Sequence, residues 1–270
     1  MSEPETEKAR PLRLGGMALR NGLLVHGPTH WAAAVRKKDG SIGVASGRKP
    51  RVESVLADYP LARGVIRIGE AMAVIPLVKR ALPEARLPFQ DSRVIGAMAL
   101  AGVAGSMLRG RVRGPGGEAA LAAIGLAPSL VALGGGDLAA YHGVEHKAIA
   151  AYEQGDETDA RTASKEHDRC GSHLMAPLMA ANSAGSALLR RVVTSPRPVH
   201  GAALQLASLG VAVEVFAWSE RHSGSLAARA LRRPGHELQR VIGTREPTDR
   251  QLDVGAAALA EILRAEGVRS

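Results

Sequence analysis

The sequence predicts a mainly α-helical fold: a helical bundle with membrane hairpins, preceded by a small glycine-rich β unit. Three observations carry that expectation. The 270 residues include 47 Ala and 31 Gly but only two Trp, three Tyr and two Phe, so a core must be assembled from Ala, Leu, Val and Ile. Four long segments, 94–108, 119–136, 171–189 and 198–213, contain no Asp, Glu, Lys or Arg. Near the N-terminus, two short apolar runs flank Asp39-Gly40, a dipeptide whose tolerance of positive φ suits a tight hairpin turn.

Taken in order, residues 1–10 are polar and read as a disordered tail. Gly15-Gly16, Gly22 and Gly27-Pro28 punctuate the chain up to the Asp39-Gly40 turn, so 12–46 is the β unit. A helical stretch over 61–82 is ended by Pro83 and Pro88, which cannot continue a helix. The four uncharged segments are 15, 18, 19 and 16 residues long, short of the roughly 20 apolar residues that span a bilayer. They fit two readings: buried helices of a soluble bundle, or two membrane hairpins, 94–136 and 171–213, with basic loops at 109–113 and 190–197. The segment between the hairpins, 137–169, has eight acidic and four basic residues. The basic N-terminal region falls on the same side, so loop charge selects no single topology. Thr248 and Gln251 form a capping-box pair, and Leu252, Ala256, Leu259 and Leu263 recur at helical spacing before Gly267, predicting a surface helix docked by one face. The chain is thus organised as the tail, a β-hairpin and helix region (11–90), a helical, membrane-embedded core (91–218) and a C-terminal region with a docked helix (219–270).

The net charge of +9 raises the question of nucleic acid. The 28 Arg and 7 Lys are scattered; no cluster is interleaved with aromatics, and stacking platforms are excluded by their scarcity. Nucleic acid is therefore not an expected partner. Basic clusters beside apolar segments fit the ends of membrane helices, which makes membrane lipids the expected partner and the cell membrane the expected location, with the cytoplasm as the alternative. The polar N-terminus carries no secretion signal. A single cysteine, Cys170, excludes a disulfide scaffold and agrees with a reducing compartment.

The chemistry concentrates between residues 142 and 173, where four of the nine histidines lie with the only cysteine. His142 and His146 are four residues apart, so on a helix both imidazoles reach one metal ion, and Glu145 lies beside them as a candidate general base. This is the H-x-x-E-H pattern of inverted zinc peptidases. His167 and Cys170 add an imidazole and a thiolate at i, i+3, ligand types that zinc prefers. The bland readings are an inert buried thiol and solvated histidines. A further carboxylate ligand would come from Glu153, seven residues past His146, or from Glu214. The latter ends an apolar segment and there requires the metal, an arginine or water as partner.

With these residues in view, the chain resembles the YqhQ-like family of uncharacterised bacterial proteins, a predicted metal-dependent enzyme family usually carrying membrane segments. The resemblance runs from about Leu14 to Leu259 and is poorer between 50 and 135. Tyr141-His-Gly-Val-Glu-His-Lys147 with Ala151-Tyr-Glu-Gln-Gly155 is similar to the family's YHGxEHK…YExG, and His167-Asp-Arg-Cys-Gly171 to its H-P-R-C-G. Pro234-Gly235, Leu238-Gln239, Thr244-Arg-Glu-Pro247, Asp249 and Gln251 follow its third motif, and Gly15-Gly16, Gly22, Gly27-Pro28, Val35-Arg36 and Asp39-Gly40 its N-terminal pattern. Met17, Asn21 and Val213 stand where the family has Gln, Glu and Tyr.

The expected function is a membrane-associated enzyme with a divalent metal, zinc by ligand type, held by His142, His146, His167 and Cys170. Glu145 is its base and hydrolysis its reaction class. The alternative is a non-enzymatic membrane scaffold in which the same cluster is a structural metal site or a buried polar network.

Overall fold

A computed structural model describes residues 11–109, 111, 114–134, 136–155, 159–195 and 197–268. The expected tail and Arg113 of the first basic loop lie outside the described residues.

The glycine-punctuated region forms four antiparallel strands in sequential order: β1 (Gly15–Leu19), β2 (Gly22–His26), β3 (His30–Arg36) and β4 (Ile42–Arg48). Gly40 closes the β3–β4 turn at φ +87°, while the Asp39 carboxylate accepts hydrogen bonds from the Ser41 amide and hydroxyl at 2.9 and 2.7 Å. The sheet therefore extends beyond a single hairpin. Strand alternation sorts its side chains onto two faces. Leu24, Trp31, Ala33 and Val35 pack on α2 (Val74–Ala81) and the turn after it, through Val74, Val78 and Leu82. Leu23, Val25, Ala32 and Ala34 face α5 (Asp137–Gln154) and α9 (Asp249–Glu266). A helix more than 200 residues away in sequence thus completes the core of the N-terminal sheet.

The expected docked helix is α9, with Thr248 and Gln251 in the predicted capping box and Gly267 as its left-handed C-terminal stop. Its buried stripe is Val254, Gly255, Ala258, Leu259, Ile262 and Leu263. Ala256, expected on that face, is exposed, because the helix lies against both the sheet and α5 and its contact stripe is wider and rotated.

The stretch over 61–82 is two helices, α1 (Ala62–Met72) and α2, broken at Ala73. The uncharged segments form helix pairs: α3 (Ser92–Arg109) packs on α4 (Gly114–Gly134), and α6 (Met175–Val192) on α7 (Pro198–Arg221). Residues 171–174, expected in the third segment's helix, are instead a 3-10 turn. Ile95, Met98, Leu100, Val103 and Met107 of α3 and Val199, Leu206 and Val211 of α7 are exposed, so the outward faces of both hairpins are apolar. Among the described residues, α7 is the one continuous helix long and apolar enough to cross a membrane, with 24 residues, a mean hydropathy of 1.5 and 17% of its apolar stretch buried. Helix α8 (Leu226–Leu238) runs into a π-helical turn at Gln239–Gly243. It is α5, buried on nearly every side between the sheet, α9 and that turn, that carries the chemistry.

Candidate metal centre

Helix α5 begins after Gly136 and ends at Gly155, whose φ of +82° forms a left-handed stop. Two glycines let neighbours close in on it. A Cβ on Gly16 of β1 would lie 2.8 Å from the Glu145 carboxyl, and one on Gly143 would lie 2.4 Å from the Arg245 carbonyl oxygen. The helix is thereby clamped by β1 on one side and by the 244–247 segment on the other.

Within that clamp the rings of His142 and His146 lie with centroids 4.3 Å apart, tilted by 57°. Each ring is oriented by a backbone carbonyl: His142 Nδ1 lies 2.8 Å from the Gly243 oxygen and His146 Nδ1 2.6 Å from the Lys165 oxygen. A carbonyl only accepts, so both Nδ1 atoms carry the proton and both Nε2 atoms present a lone pair. His142 Nε2 faces Cys170 Sγ at 3.4 Å. His146 Nε2 is buried and has no hydrogen-bond partner among the described residues. One ligand atom from each of His142, His146 and Cys170 falls within 4.8 Å of the other two, a group that could hold a metal ion. Carbonyl-oriented imidazoles are the usual surroundings of metal-binding histidines, and an orphaned buried nitrogen is otherwise costly. The donor set fits a zinc-class cation.

His167 is adjacent but differently engaged. Its ring centroid is 5.7 Å from that of His146, yet Nδ1 accepts the Arg169 amide proton at 3.2 Å and Nε2 faces Glu153 at 3.3 Å. Neither nitrogen offers a free lone pair in this arrangement, so the converging set is three residues where the sequence predicts four. Glu153 pairs with both His167 and Arg169 and is not among the converging ligands. Glu214, on α7, takes the arginine option: Arg63 Nε donates to it at 2.7 Å and the Leu61 amide at 3.3 Å. Glu145 stands beside the ligand group and outside it, its carboxyl against Gly16.

Burial sets the electrostatics. It pushes the Glu145 carboxyl up to about 7, against the pull of nearby His142. It drives His146 down to about 3, with His142 adding to the effect, and the Cys170 thiol up to about 11. A divalent cation reverses this preference for neutral forms, since it holds a thiolate and favours a carboxylate. The cluster opens on a cavity of about 530 Å³ lined by Gly16, His26, Glu145, His146, Arg169 and Cys170 among others.

In the lining of that cavity, burial and the cation of Lys49 lower His26 to about 4 from 6.5. Between those values the unfolded chain binds a proton that the folded one refuses. Stability is therefore complete above pH 6.5 and falls as pH drops toward 4, by about 3 kcal/mol at most. Thermal melts from pH 7 to 4 are expected to show a shallower decline for His26→Gln than for the parent.

Sequence reasoning missed the scaffold of the centre. Gln239 accepts the His167 amide at 2.8 Å and donates to Ser172 Oγ at 2.8 Å, joining the π turn to the Cys170 loop. Lys147, buried, donates to the carbonyls of Arg161 and Ala163 at 3.0 and 2.7 Å and pairs with Glu246 at 2.8 Å, fixing the loop that supplies the Lys165 carbonyl. The Gly235, Gln239 and Thr244–Pro247 motif was visible in the sequence, but no residue in it announces a metal.

Residues 137–265, which contain His142, Glu145, His146 and Cys170 but not Gly16 or His26, match a family described as "Protein of unknown function (DUF1385)". Among curated proteins, the chain is 31% identical over 134 residues to the uncharacterised protein YqhQ of Bacillus subtilis (strain 168), covering 47% of this chain and 41% of that one. The two matches support a YqhQ-like family of unknown function, and the chain spans about two-fifths of the length of that relative. No solved structure matches.

Proposed function

We propose that this protein is a membrane-embedded, metal-dependent hydrolase in which His142, His146 and Cys170 hold a zinc-class divalent cation and Glu145 is the general base. The observation that carries this reading is the convergence of three ligand atoms within 4.8 Å, both imidazoles being locked with Nε2 inward. Three protein ligands beside an open cavity are the arrangement of catalytic zinc sites, whereas structural sites are closed by four. Such a cation, when bound, supplies Lewis acidity and lowers the pKa of a coordinated water to about 7. Glu145, on the helical turn between the two histidines and lining the cavity, takes one proton from the attacking water. It returns that proton to the leaving group as the bond to the electrophilic carbon or phosphorus breaks. Gly16 makes room for that carboxyl, since a Cβ at this position would lie 2.8 Å from it.

Membrane embedding is supported by α7 and by the apolar outward faces of both hairpins. The Arg63–Glu214 pair neutralises the one acidic group within the apolar stretch of α7. Lipid is the proposed surrounding and the cell membrane the proposed location, with no role for nucleic acid. Membranes washed in alkaline carbonate are expected to retain the protein, with release only by detergent. Release by carbonate alone would make the hairpins peripheral.

A second reading, a closed structural site on a non-catalytic scaffold, draws on the 5.7 Å separation of the His146 and His167 rings, which a rotation of His167 could bridge. Cobalt substitution separates the two. An open site is expected to change its visible spectrum when acetohydroxamate is added, and a four-ligand site is not.

A further inference from the structure

A second cavity bears on the substrate. It measures about 260 Å³ and lies between α4, the start of α6 and the π turn, walled by Leu126, Leu130, Leu133, Met175 and Leu238. Among the described residues no charged one lines it, and its polar lining is Ser129, His142, Ser172 and Gln239. Leu133, His142, Gly171 and Ser172 are common to this cavity and to the one holding Glu145, so the two meet at a ligand of the metal centre. Its other end lies at α4, where Leu130 and Val131 are each 39% exposed, on the hairpin whose partner α3 presents Ile95, Met98 and Leu100 outward. An apolar space of this size is larger than the voids of a packed core, and water gains few hydrogen bonds on such a wall.

Resting on the hydrolase reading above, we propose that the substrate is an amphiphile with a single linear acyl chain. Its tail lies in the α4 cavity, its polar head in the larger cavity toward His26 and Arg169, and its hydrolysable bond at the junction beside His142 and Cys170. The mainly apolar lining of this cavity, between Leu126 and Leu130 of α4 and His142, selects the tail. Glu145, His167 and Arg169 line the larger cavity alone, beside apolar residues of its own such as Leu14 and Leu138, and this places the bond to be cut at the junction. Entry is lateral, from the apolar layer around α3 and α4.

The test uses the full chain held in amphipol and a fluorescent fatty-acid probe, 11-(dansylamino)undecanoic acid, with zinc measured in the same preparation. Saturable binding with blue-shifted emission is expected with or without metal. Ser129→Trp and Leu126→Trp, both at positions that line the apolar cavity, are expected to weaken the probe at least tenfold at unchanged zinc content. Of 4-nitrophenyl esters, the dodecanoate is expected to be turned over in preference to the acetate, and the two variants to lose that preference. Probe affinity unaltered in both folded variants, or no saturable binding, overturns the proposal even if zinc is present. A parent that binds the probe but carries no zinc when purified without chelator keeps the acyl-chain cavity and instead defeats the hydrolase reading.

Discussion

Glu145→Gln is expected to keep the bound metal and the thermal stability of the parent while hydrolysis falls by about 10²–10⁴-fold, the range for loss of a general base. The substitution preserves shape, so the carboxamide still fits against Gly16, and it removes only the capacity to take a proton. The position of Glu145 outside the converging ligand atoms makes the expectation sharp. A fall in metal content with Gln would make the residue a ligand, and a fall in stability alone would make it a structural partner of α5. Turnover of 4-nitrophenyl esters, with metal content and melting temperature measured on the same samples, separates the three outcomes.

His146→Ala is expected to have the largest effect on the metal itself, reducing zinc from about one ion per chain to less than a tenth of that under the same purification. His146 is the deeper of the two imidazoles, 2% exposed, and its Nε2 has no other partner among the described residues. Its loss also leaves the Lys165 carbonyl without the donor that now lies 2.6 Å away. His167→Ala provides the contrast. Because His167 spends both nitrogens on Arg169 and Glu153, that variant is expected to retain most of the zinc. Elemental analysis of the two variants beside the parent is the measurement, and equal zinc loss in both would restore the four-ligand set.

Much of this architecture was legible before the fold was in view. Asp39-Gly40 marked the β3–β4 turn because its backbone conformation is local. The uncharged segments marked both hairpins because charge is excluded from an apolar helix surface whatever it faces. The same argument explains why composition alone could not say whether those faces meet lipid or protein. The four-residue spacing of His142 and His146 placed two ligands on one helix face, a local property that survives any tertiary context.

What was not legible is long-range or carried by the backbone. The carbonyls of Gly243 and Lys165, which fix both imidazoles, have no side-chain signature. The tautomer that withdraws His167 depends on the Arg169 amide and on Glu153 fourteen residues earlier. Helix α5 has no apolar stripe to read because it is buried on nearly every side. The docking of α9 on a sheet formed by the first fifty residues follows from matching apolar faces that only the complete fold brings together.

The central claim, that His142, His146 and Cys170 bind one cation, is tested most directly by X-ray absorption at the zinc edge of protein purified without chelator. The expected first shell contains one sulfur at about 2.3 Å and two imidazole nitrogens at about 2.0–2.1 Å, completed by light oxygen or nitrogen scatterers. A shell without sulfur, or protein that carries no transition metal at all, would contradict it.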